Sequence, residues 1–235
     1  FHLHLLVFIA GFTAVLGKLI TINAIPLVWF RMLIAGLLMF GYIKFTRIKL
    51  NVPLKTFFKL GLAGIVVALH WITFFGAIDV SNISITLVMF STGAFFASFI
   101  EPIIYKRKII WYEIIFGIIV IIGVSIIINT EFKYINGIIL GVISAFLSSL
   151  FAVINGKFVE QYDASMISFY EFIAGVAFIC IYLVFAEDGF MRENFFFLST
   201  NDWIYIVILA SVCTAYAFIA SVHIMRYISP YTVVL

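Results

Sequence analysis

Charge is what this sequence has least of. Only 11% of its 235 residues are Asp, Glu, Lys or Arg, against 65% hydrophobic residues. A water-soluble domain carries about 25% charged residues, so there is too little polar surface here to face water on all sides. A mean hydropathy of +1.24 says the same. Cysteine is also scarce. Cys180 and Cys213 both fall inside apolar runs without metal-ligand spacing, and they read as small apolar filler rather than a disulfide or a reactive thiol. A phosphate-binding loop is missing as well. "GKL" at Gly17 and "GKF" at Gly156 have Phe12 or Phe151 where the earlier glycine belongs, and no Ser or Thr follows the lysine. His2 and His4 stand two apart, not at the i, i+4 spacing of a helical zinc site. No signal peptide is visible, and a chain beginning at Phe1 rather than Met reads as cut at its N-terminus.

What the sequence does have is long apolar runs. Its charges cluster in short islands separated by stretches of about 20 residues, enough to cross about 30 Å of hydrocarbon. The expectation is an all-α polytopic membrane helix bundle with eight complete spans near 2–21, 26–45, 57–79, 82–104, 109–129, 137–156, 165–186 and 203–228. A ninth span starts at "SPYTVVL", with Ser229 as cap and Pro230 in the first turn. The text stops at Leu235 while still apolar, which reads as a fragment of a longer bundle.

Lysine and arginine set the expected orientation. Lys44, Arg47, Lys49, Lys55, Lys59, Lys106, Arg107, Lys108, Lys157 and Arg226 fall on one side; only Lys133 and Arg192 fall in the opposite loops, with Glu131, Glu187, Asp188, Glu193 and Asp202. The basic side is the cytoplasmic one, so the N-terminus is expected in the cytoplasm and the protein in the cytoplasmic membrane.

"GKLITINAIPLVWFRMLIAG" (Gly17–Gly36) aligns without a gap on "GKFVEQYDASMISFYEFIAG" (Gly156–Gly175), with six of twenty positions identical. "FFGAIDVSNIS" matches "SVHIMRYISPY" in hydropathy, pairing Asp79 with Arg226. The first pairing equates span one with span six, so the repeat unit is five helices. Five is odd, and the second copy must therefore be inserted upside down, as in many secondary transporters. The expected organisation is a first repeat over 1–130 and a second, inverted and incomplete, over 137–235.

With "FIAGFTAVLGKLI", "LVWFRMLIAGLL", "LHWITFFGAIDVSNISITLV" and "FASFIEPIIYKRK" in this order, the chain resembles the EamA-type members of the drug/metabolite transporter superfamily. The resemblance rests on the arginine in span two, the aromatic third span, Glu101-Pro102 at the end of span four and the duplication. It implies ten helices, a central cavity lined by spans one, three, four, six, eight and nine, and export or uptake of small metabolites such as amino acids.

Candidate site residues follow from depth in the membrane. His70 stands near the middle of span three, where an imidazole is costly unless it faces a partner or water. The bland alternative is a helix–helix hydrogen bond, worth about 0.6 kcal/mol in a membrane. Trp71, Phe74 and Phe12, with Ser91, Thr92, Ser148 and Tyr216, stand at similar depth and outline a mostly aromatic pocket with few hydroxyls, suited to a small amphipathic solute. For any one of the 28 phenylalanines, packing or lipid contact is the simpler reading.

Charges near the span ends suggest two gates. Lys18, Arg31 and Asp79 form an outer set, and Glu171 with Arg226 an inner set of exchanged sign. Snorkelling at the membrane boundary is the competing reading; it is weakest for Arg31 and Glu171, which lie about 8–10 Å deep at 1.5 Å per residue. "GIILGVISAFLSS" places Gly137, Gly141, Ala145 and Ser149 four apart, a stripe for close helix packing.

The functional expectation is a secondary active transporter moving a small organic metabolite, amino-acid-like or otherwise amphipathic, by alternating access. Without an ATP-binding motif the energy comes from a gradient, with protons as coupling ion and Glu171 or His70 as carrier. The expected partners are the solute and membrane lipid, with no nucleic acid, cofactor or metal. The alternative is a membrane-embedded enzyme acting on a lipid or peptide, which would need a paired acid/base set on facing helices.

Overall fold

The computed structural model describes residues 2–186, 189–191 and 195–234, and all regular structure among them is helical. The helices are α1 (His2–Leu19), α2 (Ala24–Thr46), α3 (Leu54–Val80), α4 (Ile83–Tyr105), α5 (Trp111–Thr130), α6 (Ile135–Val159), α7 (Ala164–Phe185), α8 (Thr200–Ile224) and a short α9 (Pro230–Val234). Seven are long and apolar enough to cross a membrane; α5 is as apolar and 20 residues long. Of the charges counted in the outer loops, Glu187, Asp188, Arg192 and Glu193 lie outside the described residues.

Two spans are not continuous α-helix, and local chemistry explains both. In α4 the hydroxyls of Ser91 and Thr92 donate to the carbonyls of Val88 and Met89 at 2.6 and 2.7 Å. They compete with the backbone ladder, and the helix breaks into Ile83–Phe90 and Gly93–Tyr105. In α8 the stretch Ser211–Tyr216 is wound as a π-helix, with the Thr214 hydroxyl donating to the Leu209 carbonyl at 2.6 Å. Such π segments recur at functional sites.

α3 lies at the centre of the bundle, packed on α6 and α7, while α8 packs on α1 and α2. The α3–α7 crossing depends on two glycines. A Cβ at Gly64 would collide with the backbone of Glu171, its Cα 2.8 Å away, and a Cβ at Gly175 would come within 3.0 Å of the Gly64 carbonyl. Only residues without side chains let two helix backbones approach this closely. The small-residue stripe of α6 works likewise: Gly137 abuts Ser81, Gly141 abuts Met89, and the Ser149 hydroxyl donates to the Gly93 carbonyl at 2.8 Å.

These contacts define the two ends of the bundle. α6 starts beside Ser81 at the end of α3 and finishes beside Tyr105 at the end of α4 and Pro230. Asp202, at the start of α8, accepts from the Thr21 N–H at 2.7 Å and the Thr21 hydroxyl at 2.9 Å, which ties the α1–α2 turn to the first end. Lys18 therefore sits at one end and Lys157 at the other, and α1 and α6 run in opposite directions.

Candidate functional site

Away from both ends, α1, α2, α3, α4, α6 and α8 line a partly open cavity of about 180 Å³. Its wall is mostly aromatic and aliphatic, with Trp71, Phe74, Phe90, Phe151 and Phe218 foremost; its polar lining comes from Thr13, Arg31, His70, Cys213 and Ser221. The expected wall is corrected in one respect. α2 contributes through Arg31, and no described residue of α9 takes part.

Arg31 is 2% exposed. Its guanidinium carbon lies 4.0 Å from the centroid of the Trp71 ring and 5.6 Å from that of Phe75. Its Nε donates to the Thr214 hydroxyl at 2.6 Å and its Nη2 to the Cys213 carbonyl at 3.4 Å, both in the π-wound part of α8. Nη1 is buried and has no hydrogen-bond partner. Among the described residues no carboxylate forms an ion pair with it.

His70 is fixed by one residue of α6. Its Nδ1 lies 3.0 Å from the Ser144 carbonyl and 2.9 Å from the Ser144 hydroxyl, which in turn lies 3.2 Å from the His70 carbonyl. With the Ser144 hydroxyl donating to the His70 carbonyl, both Ser144 oxygens accept from an Nδ1–H, and a carbonyl can only accept; this arrangement puts the ring proton on Nδ1. Nε2 is then an acceptor, and among the described residues it has no hydrogen bond. Phe90 and Phe151 close around the ring at 5.6 and 5.3 Å between centroids.

The structure brings His70, Trp71 and Phe74 together on this cavity, with His70 also making the helix–helix bond that is its alternative reading, and disperses the rest. Phe12 is 48% exposed on the outer face of α1, against Phe8. Ser91 and Thr92 spend their hydroxyls on the break in α4, and Ser148 is buried outside the lining. Tyr216 points away: it is 45% exposed, its hydroxyl 2.9 Å from His2 Nε2, and it lines a different, wider groove of about 670 Å³ between α2, the start of α7 and α8. That groove is larger, but the unpartnered guanidinium nitrogen and the free imidazole nitrogen belong to the smaller cavity.

The expected gate sets do not assemble as pairs in this conformation. Lys18 and Asp79 are exposed near one another at the Thr21 end, whereas Arg31 has turned inward to the cavity. Glu171 and Arg226 find separate partners. Arg226 donates to the carbonyls of Val159 and Tyr162 at 2.9 and 2.8 Å, clamping the end of α8 to the α6–α7 turn. Glu171 is fully buried. Its Oε2 accepts from Asn155 Nδ2 at 3.2 Å, while its Oε1 and the Asn155 Oδ1 have no partner.

Ser144, Phe151 and Phe218 are not singled out by sequence; Cys213 takes part through its backbone carbonyl, to which the identity of its side chain is irrelevant, and both cysteines are free. Ser144 precedes Ala145 of the small-residue stripe, which is a signal of a close interface; nothing in the sequence separates Phe218 from the other phenylalanines. At the Lys157 end, Arg107 bridges Glu101 at 3.1 Å and Glu113 at 2.8 Å, and Glu101 Oε2 accepts the Tyr231 N–H at 2.7 Å. Partial burial disfavours the Arg107 charge, but its bonds to Glu113 and Glu101 hold its pKa above the ordinary arginine value.

A bundle of spanning helices around a small, partly polar cavity is the architecture of a multi-pass membrane transporter. The EamA-like transporter family model matches residues 2–129, more than half of the chain, and the chain belongs to that family, within the drug/metabolite transporter superfamily. No curated protein matches it. A crystal structure described only as that of a protein is similar at a TM-score of 0.75 and 11% identity, over 99% of this chain and 81% of the other. At that identity the likeness shows a shared helix arrangement.

Proposed function

We propose that the protein is a secondary active transporter of a small amphipathic metabolite, which binds in the Arg31–His70 cavity between two inverted repeats, 1–130 and 137–235. The observation that carries this reading is the cavity itself, away from both ends of the bundle and furnished with one unpartnered donor and one free acceptor. Family membership favours transport over the alternative of a membrane-embedded enzyme.

The helix pairings support the repeat. Exchanging each span for the one five further on turns the α3–α6 contact into α8–α1 and the α3–α7 contact into α8–α2, and all four contacts are present. Alternating access then consists of opening one end of the cavity while the other stays shut. The contacts that would have to break are Asp202 with Thr21 at one end and Arg226 with Val159 and Tyr162 at the other; Lys18 and Asp79 flank the first. The Lys- and Arg-rich loops support a cytoplasmic second end, and with it a cytoplasmic N-terminus.

Glu171 is the coupling residue in this reading. A carboxylate enclosed in the bundle with one amide donor and no cation is held at least cost as the neutral acid. It ionises when the packing between α3 and α7 opens, so a proton can be taken up on one side and released on the other.

Counterflow tests the proposal. Proteoliposomes preloaded with a small metabolite should accumulate the same labelled solute transiently, without ATP, and faster with an inward proton gradient. If no member of a broad panel of amino acids and organic acids exchanges, the transporter reading fails.

A further inference from the structure

We propose that Arg31 is an anion receptor and that the solute is a small monocarboxylate with an apolar body. The inference deepens the transport reading and rests on the central cavity being the solute site.

The cavity lining is unbalanced in charge. Among the described residues, Arg31 is the only formally charged side chain in the cavity lining. A cation buried in a helix bundle is expensive without a counter-charge. Here its compensation consists of one hydroxyl, one carbonyl and the faces of two aromatic rings, and Nη1 has nothing. The missing partner is an acceptor, and a carboxylate supplies the strongest kind, a charge-assisted bond to the guanidinium fork.

Three features narrow the anion. Its charge is single: no Lys or second Arg stands among the described lining residues, so a dianion such as a phosphate monoester would meet no second cation. Its body is apolar, because Trp71, Phe74, Phe90, Phe151 and Phe218 form most of the wall. Its size is small, since about 180 Å³ is below the range of drug-sized pockets. A hydroxyl or amino group beside the carboxylate would additionally satisfy His70 Nε2.

A purely structural Arg31, tying α2 to α8 through Thr214, would be indifferent to the ionic state of a ligand. The test therefore begins on the wild-type protein. The purified full-length protein in detergent is titrated with benzoate, 3-phenylpropionate, L-phenylalanine, methyl 3-phenylpropionate, phenethylamine and phenyl phosphate, read by tryptophan quenching and thermal shift. At least one carboxylate should bind saturably, and 3-phenylpropionate should bind about tenfold or more tighter than its methyl ester. Arg31→Gln should bring the acid down to the level of the ester, and Arg31→Lys should restore part of the difference. Equal binding of acid and ester overturns the proposal, as does tighter binding of phenethylamine or phenyl phosphate, or no saturable binding by any carboxylate. If the variants fail to fold, the acid–ester comparison still decides. Acid-selective binding without uptake into proteoliposomes would support this proposal while the transport reading falls; uptake of phenethylamine with no preference for acids would do the reverse.

Discussion

Arg31 and Glu171 are both ionisable side chains buried deep in the same bundle, and they are accommodated in opposite ways. Arg31 lies in the wall of a cavity, its side chain almost wholly covered. It is stacked on Trp71, bonded to Thr214 and the Cys213 carbonyl, and keeps one nitrogen free beside a cavity. Glu171 faces packing. Its backbone touches Gly64, its carboxyl has one amide donor, and it lines none of the cavities described above. The difference teaches that burial alone does not mark a binding group. The proposed solute site rests on burial, an unmet hydrogen bond and room for a partner together; Glu171 has the first two without the third, which is why a coupling rather than a binding role is proposed for it.

The largest expected effect attacks the Glu171 side. Gly64→Ala forces a methyl into the Glu171 backbone, where nothing flexible can yield, and should cost about 3 kcal/mol of stability or abolish accumulation of folded protein. Gly61→Ala is the control on the same helix. Its new methyl meets only the Ala174 Cβ at 3.9 Å, so thermal unfolding should be unchanged or raised, by up to about 1 kcal/mol. Similar behaviour of the two variants would refute the close crossing.

A smaller effect is expected on the Arg31 side. Thr214→Val keeps the shape but removes the acceptor for Arg31 Nε, and should cost about 2 kcal/mol, the range for a hydrogen bond to a charged group. It should also change affinity for solute, because the guanidinium is no longer anchored to α8. A melting temperature and a solute affinity both equal to wild type would show that the tether is idle.

The smallest effect on stability, and the sharpest on function, is expected for Glu171→Gln. The amide copies the neutral acid, so thermal unfolding should shift by less than about 0.5 kcal/mol. Uptake driven by a proton gradient should be lost, while exchange between equal pools of solute persists. Retention of gradient-driven uptake would remove Glu171 from the coupling role.

Much of the fold is legible in the order of residues alone. The break in α4 and the choice of Arg31 over Tyr216 are not. Ser91, Thr92, Phe12 and Tyr216 stand at the right depth for a pocket, and depth is the only coordinate that counting along a helix supplies. Which way each points depends on the rotation of its helix against neighbours up to about 200 residues away in sequence. Thr92 shows the limit well: its hydroxyl is polar and buried, as expected of a site, yet its own helix consumes it. Arg31 stands out because snorkelling is the weakest reading for it, but its sign suggests a salt bridge and the bundle provides an aromatic face and a hydroxyl instead.

The sequence by itself determined that this is a multi-pass helical membrane protein. Hydrophobicity and length act along one dimension, and in lipid a chain has almost no way to satisfy its backbone except as spanning helices. Only the tertiary structure decided that the arginine of the second helix meets the Thr214 hydroxyl of the eighth and faces a cavity. That outcome depends on close packing of helices at Gly64 and Gly175 and on the π-wound turn of α8, where fractions of an ångström and a few degrees of rotation select the neighbour.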